Sequence, residues 1–322
     1  PAVCSRDPEV GCMADPAVVV MTHNREDLLR RCLAQLVGMR LAERFTLYVH
    51  EDAASAPALA KTTKAAEEAG RGRVAEVLSS VPRGGGHPFE RSGLHKIAEH
   101  FRAALEATLE ERGHSHAILV EDDLLLSPDA LLLFWLKGPS TCWTAAPHLP
   151  AWRLLGPRPL RTPERSLSSL EARRAFEDLA PGRRKVEDAP LSTARLLFWS
   201  SAWLLREDPS LWCVSAWHDQ GFPHTAADPR LLTRTDYFPG LGWMIEKRTW
   251  DELRGRWPAR PTTGWDHWFR LSTTSRGREC VVPHINRSRH ANKKGTNVLD
   301  NAPFERFSFE ATGAPAGGNG RP

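Results

Sequence analysis

The sequence predicts an α/β fold in which a mostly parallel β-sheet is flanked by helices. Short apolar runs rich in β-branched residues alternate with segments whose apolar residues recur at helical spacing, as in parallel strands joined by helices. The third of these runs leads directly into three carboxylates, at the kind of position where ligands bind in such sheets. The composition, 41% hydrophobic and 25% charged residues, is that of a globular protein and excludes a disordered or fibrous one.

The first half of the chain contains most of this alternation. The run Ala17–Met21 is continuously apolar, as expected of a strand that is buried on both faces. Asn24 is expected to cap the next helix, whose apolar positions extend over residues 28–36. Residues 45–50 alternate well enough for a second strand, and a helix is expected near residues 56–69.

An amphipathic helix over residues 94–109 and a buried strand over 117–120 complete the alternation. Glu121, Asp122 and Asp123 follow the strand directly. Adjacent carboxylates are costly unless positive charge binds there, and Mg²⁺ or Mn²⁺ prefers carboxylate oxygens and commonly holds substrate phosphates. The triplet therefore predicts a metal site, with a solvated turn after the strand as the alternative.

The chain is expected to divide into a disordered end, a first half of the domain, an irregular insertion, a second half and a disordered tail. In this order the segments are residues 1–15, 16–135, 136–199, 200–310 and 311–322. The insertion is rich in Pro, Arg, Leu and Ser, and the tetrapeptide Leu-Leu-Phe-Trp occurs at 132–135 and again at 196–199. Two interpretations of the insertion are open: a long surface loop, or sequence that is not normally translated, such as a retained intron. The repeated tetrapeptide could also have arisen by chance.

Charge, cysteine spacing and hydropathy exclude several classes of protein. The net charge of +4 is too mild for a nucleic-acid-binding protein but suits an anionic ligand such as a nucleotide. The six cysteines form no C-x-x-C pair, which argues against a zinc ribbon and a disulfide scaffold. No apolar stretch is long enough to span a membrane. Because the sequence begins at Pro1, we expect any targeting segment to lie upstream.

Two aromatic motifs in the second half contain candidate functional residues. Residues 236–243 place two glycines and a proline among aromatic residues, which predicts a tight turn lined by rings and suited to a sugar. The alternative is a packed core loop. In the Trp-Asp-His-Trp sequence at 265–268, a carboxylate between two indoles is partly desolvated and becomes a better base. The alternative is that Asp266 caps a helix.

On these motifs the chain resembles glycosyltransferase family 13, a family of β-1,2-N-acetylglucosaminyltransferases. The resemblance covers about residues 16–135 and 201–300 and fails across the insertion. It implies a GT-A fold with a nucleotide-sugar-binding half and an acceptor half. It also implies UDP-GlcNAc as donor, Mn²⁺ (or Mg²⁺) as cofactor and inverting transfer of GlcNAc to O2 of a mannose. The motifs that carry it are the acidic triplet, residues 212–221, residues 236–243, residues 265–268 and residues 276–280.

The resemblance also implies roles for individual residues. Asp123 matches the metal ligand and Asp266 matches the catalytic base, although His267 stands where the family has a second acidic residue. The residues that match the nucleotide-sugar site are Arg25, Asp52, His100, Glu121, Asp122 and Asn297.

The cysteines and one sequon carry further expectations from the resemblance. Cys213 and Cys280 match a family disulfide, Cys32 matches a buried free thiol, and the sequon at Asn286 is expected to be unused because Arg287 belongs to a family motif.

The resemblance further implies an acceptor and a cellular location. The acceptor is expected to be a mannose on an N-glycan core, with an O-mannose glycan as the alternative. The expected location is the Golgi lumen, in a type II membrane protein whose anchor lies upstream, and the family's C-terminal domain is expected to be missing. A degenerate protein that binds sugar or nucleotide without transfer is the alternative from another class.

Overall fold

The computed structural model describes seven stretches of the chain. They are residues 16–52, 55–80, 92–134, 204–206, 208–221, 232–258 and 264–290. The predicted disordered ends, the predicted insertion and Asn297 lie outside the described residues.

The described residues contain ten strands and seven α-helices. The strands are β1 Pro16–Thr22, β2 Thr46–Asp52, β3 Val74–Ser80, β4 His116–Glu121, β5 Leu124–Leu126, β6 Leu211–Ser215, β7 Leu232–Thr235, β8 Trp243–Glu246, β9 Glu279–Pro283 and β10 Ser288–His290. The helices are α1 Glu26–Gly38, α2 Ala56–Gly70, α3 Gly93–Leu105, α4 Ala130–Phe134, α5 Lys247–Leu253, α6 Trp265–Phe269 and α7 Ser272–Ser275. Shorter helical segments are the 3₁₀ turns Ala42–Arg44 and Arg254–Arg256 and the π-helical segment Glu106–Glu111, which continues α3.

Eight strands form one sheet in the order β3-β2-β1-β4-β8-β6-β9-β7. Within the run β3-β2-β1-β4, each strand is parallel to the next. Strand β8 runs antiparallel to both β4 and β6, β6 is parallel to β9, and β7 is antiparallel to β9. Strands β5 and β10 form a separate antiparallel pair. The predicted α/β class with a mostly parallel sheet and flanking helices is therefore confirmed.

Strand β1 is buried on both faces, as its sequence predicts. All seven of its residues are buried. Val18 and Val20 belong to the core cluster that includes Leu33 of α1, whereas Val19 belongs to the cluster that includes Phe101 of α3. The alternation of side chains along a strand thus places helices on both faces of the sheet.

Helix α1 begins without the predicted side-chain cap. Arg25 occupies the cap position and makes no capping hydrogen bond. Asn24 has the left-handed φ of 50°, and its backbone amide donates to Glu51 Oε1 at 3.1 Å. The prediction of Asn24 as the cap is wrong because Asn24 lies one residue before the cap position, where its backbone amide binds a carboxylate on β2.

The cysteine predictions are confirmed. Cys213 and Cys280 form a disulfide between the paired strands β6 and β9. Cys32 is a buried free thiol on α1, and burial strongly raises its pKa. Asn286 is fully buried, so the folded chain does not present this sequon on its surface.

No helix within the described stretches combines the length and the apolar character needed to cross a bilayer.

Candidate active site

The predicted nucleotide-binding residues that the structure describes lie at or next to one edge of the sheet. Met21 near the end of β1 pairs with His50 of β2 on one side and with Glu121 of β4 on the other. Because the three strands are parallel, the residues that follow them emerge side by side. In α/β sheets this edge, beyond the carboxyl ends of the strands, is where ligands bind.

Arg25 joins the loop after β1 to the acidic triplet after β4. Its Nη2 lies 2.8 Å from Asp122 Oδ1, and its Nη1 lies 3.1 Å from Asp123 Oδ2. Thr22 Oγ1 donates to Asp122 Oδ2 at 2.6 Å, and the amide of Asp122 donates to the carbonyl of Met21 at 3.0 Å. Asp122 is fully buried, whereas the Arg25 side chain remains 41% exposed. Asp122 therefore anchors an arginine that is still accessible to a ligand.

The three carboxylates of the triplet differ in their electrostatics. Burial, together with the negative charge of Asp123, raises the pKa of Glu121 to about 7. Burial also raises the pKa of Asp122 to about 6, against the opposing effect of Arg25. For Asp123, burial acts in the same direction, but the interactions with His290 and Arg25 outweigh it and lower the pKa. Asp123 is therefore the carboxylate of the triplet that keeps its charge most firmly.

Asp123 offers one carboxylate oxygen that would suit a divalent cation. Its Oδ1 is buried and accepts no hydrogen bond within the described residues, and His290 Nδ1 lies 3.9 Å away. In the described part of the chain, no three His, Cys, Asp or Glu residues are arranged to hold a metal on their own. Hard cations such as Mg²⁺ are commonly held by one or two carboxylates and substrate phosphates, and Mn²⁺ also suits oxygen ligands.

Asp52 and His100 lie at the β2 side of this edge. His23 Nδ1 donates to the carbonyl of Asp52 at 2.8 Å and lies 3.8 Å from its carboxylate. Burial raises the pKa of Asp52, opposed by His23 and Lys96. His100 Nε2 donates to the carbonyl of His50 at 3.1 Å, and burial lowers the pKa of His100 to about 3. His100 is therefore a neutral histidine that is held against the end of β2.

Asp266 lies in the first turn of α6. The cap position belongs to Gly264, so the alternative that Asp266 caps the helix is wrong. Asp266 Oδ2 lies 2.8 Å from Arg270 Nη1, and the side chain is 31% exposed. Trp265 beside it is buried against Phe101 of α3, with ring centroids 4.3 Å apart. Within the described residues, no hydrogen bond or ion pair joins Asp266 to the acidic triplet.

The turn at 236–243 serves mainly as a core loop. Gly240 and Gly242 have the left-handed φ values of 92° and 71°, which favour glycine. Phe238 and Trp243 are buried, so these rings are not a floor for a sugar. Tyr237 is 40% exposed and is the aromatic residue of this turn that faces solvent.

Sequence reasoning missed three residues that lie against Asp266 or the acidic triplet. Arg270 follows Asp266 at the four-residue spacing of a helical ion pair, so the sequence did contain a signal for it. Thr22 and His290 approach the triplet only through strand pairing, β1 with β4 and β10 with β5. No local pattern marks either residue.

A model of the GNT-I family matches residues 3–137 and 195–300. The chain belongs to the GNT-I family. The predicted family is thereby confirmed, and the GT-A arrangement that it implied agrees with the sheet order. The match omits residues 138–194, which fall within the predicted insertion. A nucleotide-sugar donor and a glycan acceptor are typical of GNT-I glycosyltransferases.

A curated relative of this GNT-I family chain is an Arabidopsis thaliana protein named alpha-1,3-mannosyl-glycoprotein 2-beta-N-acetylglucosaminyltransferase. It is 24% identical over 290 residues, which cover 89% of this chain and 49% of the relative. The chain thus spans about half the length of this relative.

Three solved structures are similar to this chain. A mannosyltransferase of Pyrobaculum calidifontis, solved with GDP-Man and Mn²⁺, has a TM-score of 0.44 at 14% sequence identity. The match covers 88% of this chain and 58% of the mannosyltransferase chain. Glucosyl-3-phosphoglycerate synthase of Mycobacterium tuberculosis, solved with Mn²⁺ and UDP-glucose, has a TM-score of 0.39 at 10% sequence identity. The match covers 87% of this chain and 73% of the synthase chain. TarS of S. aureus has a TM-score of 0.40 at 12% sequence identity, and the match covers 83% of this chain and 57% of the TarS chain. The family assignment rests on the sequence match and not on these similarities.

Proposed function

We propose that this GNT-I family member is an inverting, Mn²⁺-dependent glycosyltransferase that moves GlcNAc from UDP-GlcNAc to O2 of a mannose on an N-glycan core. The observation that carries the proposal is the contact of Arg25 with both Asp122 and Asp123 at the carboxyl edge of the parallel strands. This contact gathers a metal-binding carboxylate and a phosphate-binding cation where a nucleotide sugar would bind.

The donor half of the mechanism depends on the division of roles between the acidic residues. Asp123 would hold the cation, while Asp122 is buried and holds Arg25 in place. The exposed guanidinium of Arg25 is positioned to bind a phosphate of the donor. A bound Mn²⁺ would neutralise the negative charge that develops on the diphosphate as UDP leaves. Asp52, at the end of β2, is the proposed contact to the uridine.

The acceptor half requires one carboxylate. Asp266 would take the proton from the acceptor hydroxyl as its oxygen attacks the anomeric carbon, on the face opposite the departing UDP. A single displacement of this kind inverts the anomeric carbon and forms no covalent intermediate. Arg270, 2.8 Å from Asp266 Oδ2, fixes the orientation of this carboxylate.

We also propose that the protein works in the Golgi lumen, with a membrane anchor upstream of Pro1. The disulfide between Cys213 and Cys280 supports an oxidising compartment. Locating a tagged full-length protein by microscopy tests this proposal, and a cytosolic location would contradict it.

A transfer assay tests the enzymatic proposal. The purified chain, and the same chain without residues 136–199, would be supplied with UDP-GlcNAc, Mn²⁺ and either a trimmed oligomannose or an O-mannosyl peptide. Transfer to the oligomannose supports the proposal, and transfer to the O-mannosyl peptide alone would replace the acceptor. Asp266→Asn is the matched control, for which we expect UDP binding without transfer. Binding of UDP by both chains with transfer by neither would favour the non-catalytic alternative.

A further inference from the structure

One aromatic ring of the turn at 236–243 lies outside the core and beside Arg270, the partner of the proposed base. Tyr237 keeps 40% of its surface exposed, whereas Phe238 in the same turn is fully buried. The backbone amide of Tyr237 donates to Thr235 Oγ1 at 3.1 Å, so the main chain that carries the ring is held in the turn that follows β7. An exposed aromatic residue that is held in this way is suited to binding a ligand.

Arg270 connects this ring to Asp266. Its Cζ lies 4.6 Å from the centroid of the Tyr237 ring, and its Nη1 lies 2.8 Å from Asp266 Oδ2. Its Nε donates to the carbonyl of Phe238 at 3.2 Å. One guanidinium therefore contacts the ring, the carboxylate and the backbone of the turn. A ligand on the exposed part of the ring would therefore approach the carboxylate across the Arg270 guanidinium.

We infer that Tyr237 and Arg270 form the subsite for the acceptor sugar. A pyranose combines an apolar C–H face, which packs on an aromatic ring, with hydroxyls that bind charged groups. The exposed part of the Tyr237 ring offers the apolar contact, and the partly exposed Arg270 and Asp266 offer the polar ones. The identity of this sugar as a terminal mannose rests on the proposed function.

A second exposed apolar side chain near Arg270 provides a matched control for Tyr237. Leu271, immediately after Arg270, is the other large apolar side chain that is exposed in the described residues, at 51%. Unlike Tyr237, it has no aromatic ring to stack on the guanidinium. Leu271→Ala therefore removes a similarly exposed apolar side chain without removing the proposed stacking surface.

The test measures binding of a mannose-terminated trisaccharide to the protein in the presence of UDP and Mn²⁺, by calorimetry or saturation-transfer NMR. Tyr237→Ala is expected to raise the dissociation constant of the trisaccharide about tenfold, with the affinity for UDP unchanged. Tyr237→Phe keeps the ring and Leu271→Ala keeps the subsite, so both should bind as the wild type does. Because Tyr237 is exposed, the alanine variant should fold, which its thermal transition would verify.

The outcomes separate this inference from the proposed function. An unchanged dissociation constant in Tyr237→Ala, or a wild type that binds no mannoside, would overturn the subsite. A wild type that transfers GlcNAc although Tyr237→Ala binds acceptor normally would overturn the subsite and leave the proposed function standing. A wild type that binds the mannoside through Tyr237 but never transfers GlcNAc would refute the proposed function and keep the subsite.

Discussion

Replacing Gly264 by alanine is expected to move the proposed base without unfolding the protein. A Cβ at this position would lie 2.1 Å from Asp266 Oδ1, whereas ordinary contacts begin at 3.4 Å. The backbone of Gly264, with φ −56° and ψ 149°, is one that alanine adopts without strain. The carboxylate, at the end of a short side chain, must therefore give way by rotating, and it loses its 2.8 Å contact with Arg270.

The expected effect is large on catalysis and small on stability. The carboxylate has to move by more than the tolerance of a positioned catalytic group, and a misplacement of about 1 Å can cost about 100-fold in rate. The lost ion pair is worth only about 0.3–0.5 kcal/mol. The smaller entropy of the unfolded alanine chain offsets this by about 0.4–1 kcal/mol. We therefore expect kcat to fall about 100-fold, with the free energy of unfolding changed by less than about 1 kcal/mol.

The assay compares kcat, the KM for UDP-GlcNAc and the urea unfolding of Gly264→Ala with those of Gly255→Ala. Gly255 lies in a 3₁₀ turn, and a Cβ there would meet nothing within 4 Å. The control should behave as the wild type does. A normal kcat in Gly264→Ala would show that the position of Asp266 does not limit the reaction, and the assignment of Asp266 as base would then fail.

Three further predictions concern the donor site, the buried histidines and the disulfide. Asp123→Ala should abolish the stimulation of UDP binding by Mn²⁺ in calorimetry, and unchanged metal dependence would dismiss this site. Burial lowers the pKa of His100 to about 3, so the unfolded chain alone takes up a proton as the pH falls below 6.5. His100 by itself should therefore lower the free energy of unfolding by roughly 2 kcal/mol between pH 7 and 5. Measured by urea unfolding, the free energy at pH 7 minus that at pH 5 should be smaller by this amount in His100→Gln than in the wild type. Replacing both Cys213 and Cys280 by alanine opens a loop with a sequence separation of 67 residues. This should cost about 4 kcal/mol, and an unchanged urea midpoint would contradict that estimate.

The central strands were predictable from the sequence because they are buried on both faces. Strand β1 contains an unbroken apolar run because all seven of its residues are buried. Strand β3 was not predicted because it lies at the edge of the sheet, where most of its residues are only partly buried or exposed. Its pairing with β2 also shifts register between Leu47 and Tyr48, which disturbs the expected alternation.

The candidate site was predictable where a short motif follows a strand or begins a helix. Asp123 and Asp266 were identified in this way, although their roles stay predictions. The contacts around them come from distant parts of the chain. Arg25 reaches Asp123 across 98 positions, and His290 reaches it only through the pairing of β10 with β5. Asn24 was misassigned for the same reason, because Glu51 on a neighbouring strand binds its amide.

Aromatic packing explains how the two halves of the proposed site keep a fixed relation, although no hydrogen bond or ion pair between described residues joins Asp266 to the acidic triplet. Trp265, the neighbour of Asp266, lies 5.6 Å from Trp243 between ring centroids. Trp243 in turn pairs with Leu119 on β4, the strand that ends at the acidic triplet. A single displacement needs the base and the proposed metal-binding carboxylate on opposite sides of the anomeric carbon, so a shift of the helix that carries Asp266 would slow the reaction. The burial of Trp265 thus supports the proposed chemistry, since it fixes α6 to the same sheet that presents Asp123.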